Sequence, residues 1–394
     1  MKSTWKTSLM TVAMVAIAAL ALTFAGGCSK KEEKKEAIKV GAILAETGPA
    51  SFLGGPEART IRMIVDQINA AGGVGGQQIE LIIKDSAANP DKAISFAKQL
   101  IEEEGVLAIL GPSTSGESMK LKSICETAET ILLSCAAAEV IVNPVAKWVF
   151  KTPQTDSFAA QKIFMEMNNL GIGKIAILAG NTGFGKAGRE QLLKFAPQFN
   201  IEIIEDEVYD SKATDLSAVV TKIKANADVQ AVVNWSIVPA QAIVAKNMRQ
   251  AGWQVPLFQS HGFGNPKYIE AAGEAAEGII FPSGRLLAAD VLADTHPQKA
   301  VLTKYINDYK ALYPEEMAST FGGHGFDAIM ILVKAIENAG SSDKAKVRDA
   351  IENLTGFAGT GGIYNFSATD HNGLDIDAFA MMTVKDGKFV LYEQ

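Results

Sequence analysis

Val106-Leu-Ala-Ile-Leu-Gly-Pro-Ser-Thr-Ser-Gly-Glu-Ser118 decides how the chain is to be read. Its apolar run, Val106 to Leu110, is bounded by Gly105 and Gly111 and reads as a buried strand. A loop of Gly, Ser and Thr then opens a helix whose first turn is rich in hydroxyls. Such a turn aims backbone N–H groups, the positive end of a helix dipole and the hydroxyls of Ser113, Thr114 and Ser115 at one spot. That spot suits a carboxylate or similar anion. An ordinary N-cap would need no more, so the reading depends on what else reaches the same place.

Working outward, the same unit repeats. Upstream, strands at 38–44 and 78–85 alternate with helices at 56–70 and 91–104; downstream, a helix at 115–129 leads to a strand at 131–135. A second series follows, with helices at 157–170, 186–196, 215–225 and 238–251 and strands at 174–179, 201–209, 230–236 and 256–260. Short apolar strands between amphipathic helices imply parallel sheets covered on both faces, here two doubly wound α/β lobes in tandem. After residue 279 the alternation lapses. Helices at 298–313 and 325–339 lack strands between them, and the chain ends in strand-like pieces at 378–384 and 389–392 around Asp386-Gly387, a hairpin signal. The simplest arrangement sends 283–357 back to the first lobe and 358–394 to the second. Lobe 1 is then 38–153 plus 283–357, and lobe 2 is 154–282 plus 358–394. Three crossings near 152–155, 281–284 and 357–364 would join them.

Composition narrows the function. A chain of 394 residues with 48% hydrophobic and 21% charged residues is globular. A net charge of −7 with no basic stretch argues against a nucleic-acid partner. Lys2 and Lys6 precede an apolar run at 9–24, and Ala25-Gly-Gly leads into Cys28, so residues 1–27 read as a secretory signal. A Cys directly after small residues resembles a bacterial lipoprotein cleavage site, with Cys28 the lipidated first residue; Ala25 stands where Leu is usual. Residues 28–37 read as a charged tether. The protein is thus expected outside the cytoplasm, on the periplasmic face or cell surface, anchored to the membrane by lipid. Cys125 and Cys135 read more simply as buried thiols than as a bridge. Neither they nor His261, His296, His324 and His371 have metal-site spacing, so no metal or cofactor is expected.

In open α/β sheets ligands bind beyond the carboxyl ends of the strands. Those ends carry loops at 45–55, 111–116 and 134–139 in the first lobe. In the second they carry loops at 180–185, 236–240 and 260–265. If the lobes face each other through them, all six line one cleft. Gly180-Asn-Thr-Gly-Phe-Gly-Lys-Ala187 nearly matches a phosphate-binding loop, but Ala187 lacks the hydroxyl that would hold Mg²⁺. The simpler reading is a glycine loop that lets Phe184 turn into the cleft. No G-x-S-x-G elbow is present, and a hydrolase would have to pair Ser115 with His261.

The chain resembles the bacterial extracellular solute-binding proteins of the branched-chain amino-acid transporter type. The resemblance rests on Ile38-Lys-Val-Gly-Ala-Ile-Leu, Thr47-Gly-Pro, Ile68-Asn-Ala-Ala-Gly-Gly-Val, Ile109-Leu-Gly-Pro-Ser-Thr-Ser, Phe184-Gly-Lys and Ala275-Ala-Glu-Gly. It implies a type I periplasmic binding protein, two lobes with three crossings, and delivery of ligand to the permease of an ABC transporter by a monomer. It also implies a site. Ser115 falls where the family binds the ligand carboxylate, Ala136 and Ala137 where backbone completes that pocket, and Phe184 where the second lobe offers an aromatic, usually Tyr.

Four positions depart. Ala138 replaces a threonine, Leu53 beside Phe52 a tryptophan, Ile237 a tyrosine, and His261 the acidic residue that pairs with an α-ammonium. Burying an ammonium without that partner costs about 3–5 kcal/mol. The expected ligand is therefore an acid without an amino group, walled by Leu53, Phe184, Trp235 and Ile237. Some relatives with this kind of site are associated with aromatic carboxylates, which makes a benzoate- or cinnamate-like acid the leading expectation. The alternatives are an amino-acid binder in which Glu46 or Glu139 supplies the missing charge, a ligand-sensing ectodomain, and the secreted hydrolase.

Overall fold

A computed structural model describes residues 36–393; the signal sequence, Cys28 and nearly all of the tether lie outside them. Strands β1 (Ile38–Leu44), β2 (Ile79–Asp85), β3 (Ala108–Leu110), β4 (Ile131–Ser134) and β5 (Val149–Lys151) form one parallel sheet in the order β2-β1-β3-β4-β5. Helices α1 (Ser51–Ala70), α2 (Pro90–Lys98) and α3 (Ser115–Thr127) connect them. Local chemistry sets the starts of two. Asn89 accepts from the N–H groups of Asp91 and Lys92 ahead of Pro90, and Thr114 accepts from Glu117 N–H. The strands are apolar throughout because both faces are covered. Ile43, Ile109, Leu132 and Val149 pack toward Leu100, Leu121 and Cys125. Their neighbours Leu44, Leu110, Leu133 and Phe150 pack toward Ile61, Tyr305 and Ile329.

The second series supplies α4 (Asp156–Asn169), β6 (Lys174–Gly180), α5 (Gly183–Phe195), β7 (Glu202–Tyr209) and α6 (Ser217–Lys224), then β8 (Ala231–Trp235), α7 (Ala240–Gln250), β9 (Leu257–Gln259), α8 (Pro266–Ala272) and β10 (Ile280–Ser283). Helices α9 (Lys299–Leu312), α10 (Thr320–Ala339) and α11 (Lys344–Glu352) follow without strands between them. Their apolar faces, among them Leu302, Ile329, Leu332 and Val347, complete the core of the first sheet. Gly325 lets α10 lie close on α1, since a Cβ there would stand 3.0 Å from the Glu57 carbonyl oxygen. After the short pair β11 (Phe357–Ala358) and β12 (Ile363–Tyr364), the hairpin β13 (Ala380–Lys385) and β14 (Lys388–Leu391) adds antiparallel to β10. The second sheet thus runs β14-β13-β10-β9-β8-β6-β7.

Several expectations need correction. Strands β5 and β10 depart from the expected order, because Val-Phe-Lys and Ile-Phe-Pro-Ser at the brink of a crossing are too short and mixed to show a strand pattern. Helix α1 begins at Ser51, so Pro56 lies inside it, and α10 begins at Thr320, five residues before the expected start. The last crossing, expected at 357–364, comes later. Tyr364, Phe366, Leu374 and Ala378 still pack in the core of the first sheet, and the chain joins the second sheet only at Ala380. Asp327 of α10 is the physical reason. Its buried carboxyl accepts from Thr360 N–H at 2.6 Å, Gly361 N–H at 2.7 Å and the Tyr364 hydroxyl at 2.8 Å. That holds 360–364 on the first sheet's side.

Candidate functional site

The first βα turn of interest follows β3. Its hydroxyls are largely engaged within the protein. Ser113 Oγ accepts from Ala45 N–H at 3.0 Å and bonds to the carboxyl of Glu57. Thr114 Oγ1 donates to Glu117 Oε2 at 2.6 Å, and the Ser118 and Ser134 hydroxyls meet at 2.8 Å. Ser115 Oγ accepts from Ala138 N–H at 3.3 Å, which leaves its proton to donate into the cleft. Glu57 is fully buried, and burial outweighs the Ser113 hydrogen bond, so its carboxyl is pushed up to about 8. It is therefore neutral near pH 7 and does not oppose an anion at the loop.

All six loops contribute to one cavity between the two sheets. From the first sheet come Leu53, Ser113, Ser115, Cys135, Ala136 and Ala137; from the second come Phe184, Ile237, His261 and Gly262. Two of the expected residues stand behind this wall. Ala138 is fully buried and acts through its N–H on Ser115. Trp235 is fully buried too, with its ring 5.8 Å from that of Phe184 and 5.7 Å from that of His261. Leu53, expected in a loop, sits on the first turn of α1. Three further contributors come from elsewhere: Pro153 from the crossing after β5, and Phe321 and His324 from the first turns of α10. No local signal in the sequence marks them, because α10 reaches the cleft only after the chain has returned to the first sheet.

The polar character of this cavity is specific. No Asp or Glu lines it. Glu46 is bonded twice to Arg62, at 2.8 and 3.0 Å, and Glu139 accepts from Gln191 at 2.9 Å and Asn143 at 3.2 Å. His261, only 8% exposed, has neither ring nitrogen hydrogen-bonded to a protein group, and its ring is boxed by Phe184, Trp235 and Phe379. Burial, then the nearby Lys151 ammonium, pushes its pKa well below the usual imidazole range. Ser115 and His261 make no hydrogen bond to each other, so no nucleophile–base pair is formed. Cys125 and Cys135 are both free, buried thiols. Among the described residues, no group of three or more His, Cys, Asp and Glu is placed to hold a metal, and no helix is long and apolar enough to cross a membrane.

The cleft is shut. The cavity measures about 20 Å³, room for a water molecule and little more. Asn265 Nδ2 donates to the Phe52 carbonyl across it at 2.6 Å. That carbonyl is free because Pro56, four residues on, has no N–H to return to it. The Phe52 and Tyr268 rings meet at 5.3 Å. Gly116 and Gly183 bring the two loops' backbones together, since a Cβ on Gly183 would lie 2.7 Å from Gly116 Cα.

Two α/β bodies that close on a small cavity at the carboxyl ends of their strands define the two-lobed solute-binding proteins. Residues 37–388 match the model of the periplasmic binding protein family, and the chain belongs to that family. It is 26% identical over 346 residues, 85% of this chain and 89% of the relative, to a leucine-, isoleucine-, valine-, threonine- and alanine-binding protein of Pseudomonas aeruginosa. An extracellular ligand-binding receptor from Rhodopseudomonas palustris superposes with a TM-score of 0.85 at 27% identity, covering 91% of this chain and all of that one. The isoleucine complex of a branched-chain amino-acid transporter substrate-binding protein from Streptococcus pneumoniae gives 0.80 at 26%, covering 90% and 97%. The protein is accordingly an extracytoplasmic solute-binding receptor of the branched-chain amino-acid type.

Proposed function

We propose that this receptor closes its lobes on a small carboxylate without an amino group, an aromatic acid being the leading candidate, and presents the closed form to the permease of an ABC importer. The ligand acid would sit on Ser115 and the backbone of Ala136 and Ala137, with Leu53, Phe184 and Ile237 as apolar walls. The observation that carries this reading is the acid-free lining of the cavity. An α-ammonium would face His261, and Glu46 and Glu139 are engaged elsewhere. Lobe 1 (38–153 with the helices after 283) and lobe 2 (154–282 with the terminal hairpin) would move about the three crossings. Opening is required, because the shut cavity is too small for any such ligand. The protein would act as a monomer tethered through lipid on Cys28.

A second reading keeps an amino acid as ligand. It is favoured by the Pseudomonas relative, named for binding leucine, isoleucine, valine, threonine and alanine, and by the isoleucine-bound Streptococcus structure. A thermal-shift panel of aromatic acids, aliphatic acids and amino acids on the purified protein separates the two. Aromatic or aliphatic acids are expected to raise Tm. Stabilisation by leucine or valine alone would sink the first reading.

A further inference from the structure

His324 is a second buried histidine on the same cavity, contributed by α10 and only 6% exposed. Its Nδ1 and both nitrogens of His261 have no hydrogen-bond partner among the protein's own groups. Buried polar atoms are rarely left so, and here three of them belong to two side chains that line one cavity. His324 is fixed in place rather than loose: its carbonyl accepts from Thr152 Oγ1 at 3.1 Å, and its ring lies against Phe321.

We infer that His261 and His324 together form a hydroxyl-binding subsite, so that the receptor's ligand is an acid with a hydroxyl remote from its carboxylate. The inference rests on the acid-binding reading above. Its chemistry follows from the donor count. Burial, then Lys151, pushes His324 down to about 3, and His261 is depressed for the same two reasons, so both rings are neutral. Each neutral imidazole brings one N–H and one lone pair. A hydroxyl accepts from one ring and donates to the other, which uses both kinds of group. A second carboxylate can only accept, and an alkyl end leaves all of them unpaired. A site built to bond a hydroxyl discriminates strongly against the analogue that lacks it.

The test is calorimetry on the purified protein with matched pairs, 4-hydroxybenzoate against benzoate and 5-hydroxypentanoate against pentanoate. In at least one pair the hydroxy acid is expected to bind about tenfold tighter or more. In His261→Phe and His324→Phe that ratio should fall to about threefold or less, with the parent acid still bound, whereas His324→Gln, which keeps a donor and an acceptor, should retain most of it. A ratio taken within one protein does not depend on how much of a variant folds. In the unaltered protein, imidazole ¹⁵N shifts of both histidines should move with the hydroxy acid and not with its parent. Parent acids that bind as tightly as hydroxy acids, or a preference unchanged in both Phe variants, would overturn the subsite alone. Binding of amino acids with no binding of either member of any pair would overturn the acid reading and the subsite together.

Discussion

The two sides of the cleft differ in how their polar atoms are spent. Around the turn after β3, Ser113 and Thr114 bond to buried carboxyls and Ser118 and Ser134 to each other, so that among these hydroxyls only the Ser115 proton is left to reach outward. On the other side, His261 and, behind it, Trp235 Nε1 lack protein partners inside an aromatic box, as does His324 Nδ1, which α10 brings to the cavity from the first sheet's side. The first arrangement is preorganised, and on the proposed reading it would hold any small acid in the same way. The second is costly until a ligand completes it, since an unpaired buried polar group costs about 1–3 kcal/mol. Anchor and selector are thus built from different kinds of surface.

The sharpest way to break this division is His261→Asp. A carboxylate there supplies the missing partner of an α-ammonium, and amino-acid binding should strengthen by about 3–5 kcal/mol, roughly a hundredfold to several thousandfold. Titration with leucine and with benzoate reads the exchange. No gain for any amino acid would show that residue 261 does not set ligand class. Gly183→Val tests closure itself. The added side chain meets Gly116, and overpacking of about 1–3 kcal/mol should hold the cleft ajar and weaken every ligand alike, measurable as lost affinity with an expanded solution scattering profile.

Ser115→Ala, on the anchor side, should cost about 1.5–3 kcal/mol for any acid, the worth of a hydrogen bond to a charged group. An unchanged affinity would move the anion site elsewhere. Glu57→Gln should have the smallest effect at pH 7, because the native carboxyl is already neutral there. Its signature is the pH profile. The folded-state pKa is raised to about 8, so the carboxyl ionises as pH climbs through that value and repels the bound acid. Affinity of the native protein should fall there while Glu57→Gln stays level. Stability carries the same sign, since this raised pKa favours the fold below pH 4.5 and the benefit is lost as pH rises through about 8.

Much of this organisation was legible in the sequence. The alternation of short apolar strands with helices announced parallel sheets covered on both faces, and the rule for strand carboxyl ends picked out six loops, all of which reach the cavity. Depth within the wall was not legible. Ala138, in the loop after β4, and Trp235, the last residue of β8, stand one layer back, the indole because Gly188 lets it sink against α5, where a Cβ would lie 2.0 Å from Trp235 Nε1. Glu57 gave no sign of itself either. A glutamate on an amphipathic helix reads as solvated, and only the packing of α1 under Ser113 buries it.

By itself, then, the sequence determined the class of fold, and it supplied the proposals that the turn at Ser115 holds an anion and that His261 stands in place of an acidic residue, because each is written in a local pattern of a few residues. Only the tertiary structure decided that His324, 63 positions further along, shares a cavity with His261. That meeting depends on α10 packing against α1 through Gly325, with 360–364 fastened to it by Asp327, and contacts made by a returning chain leave no period in the sequence to read.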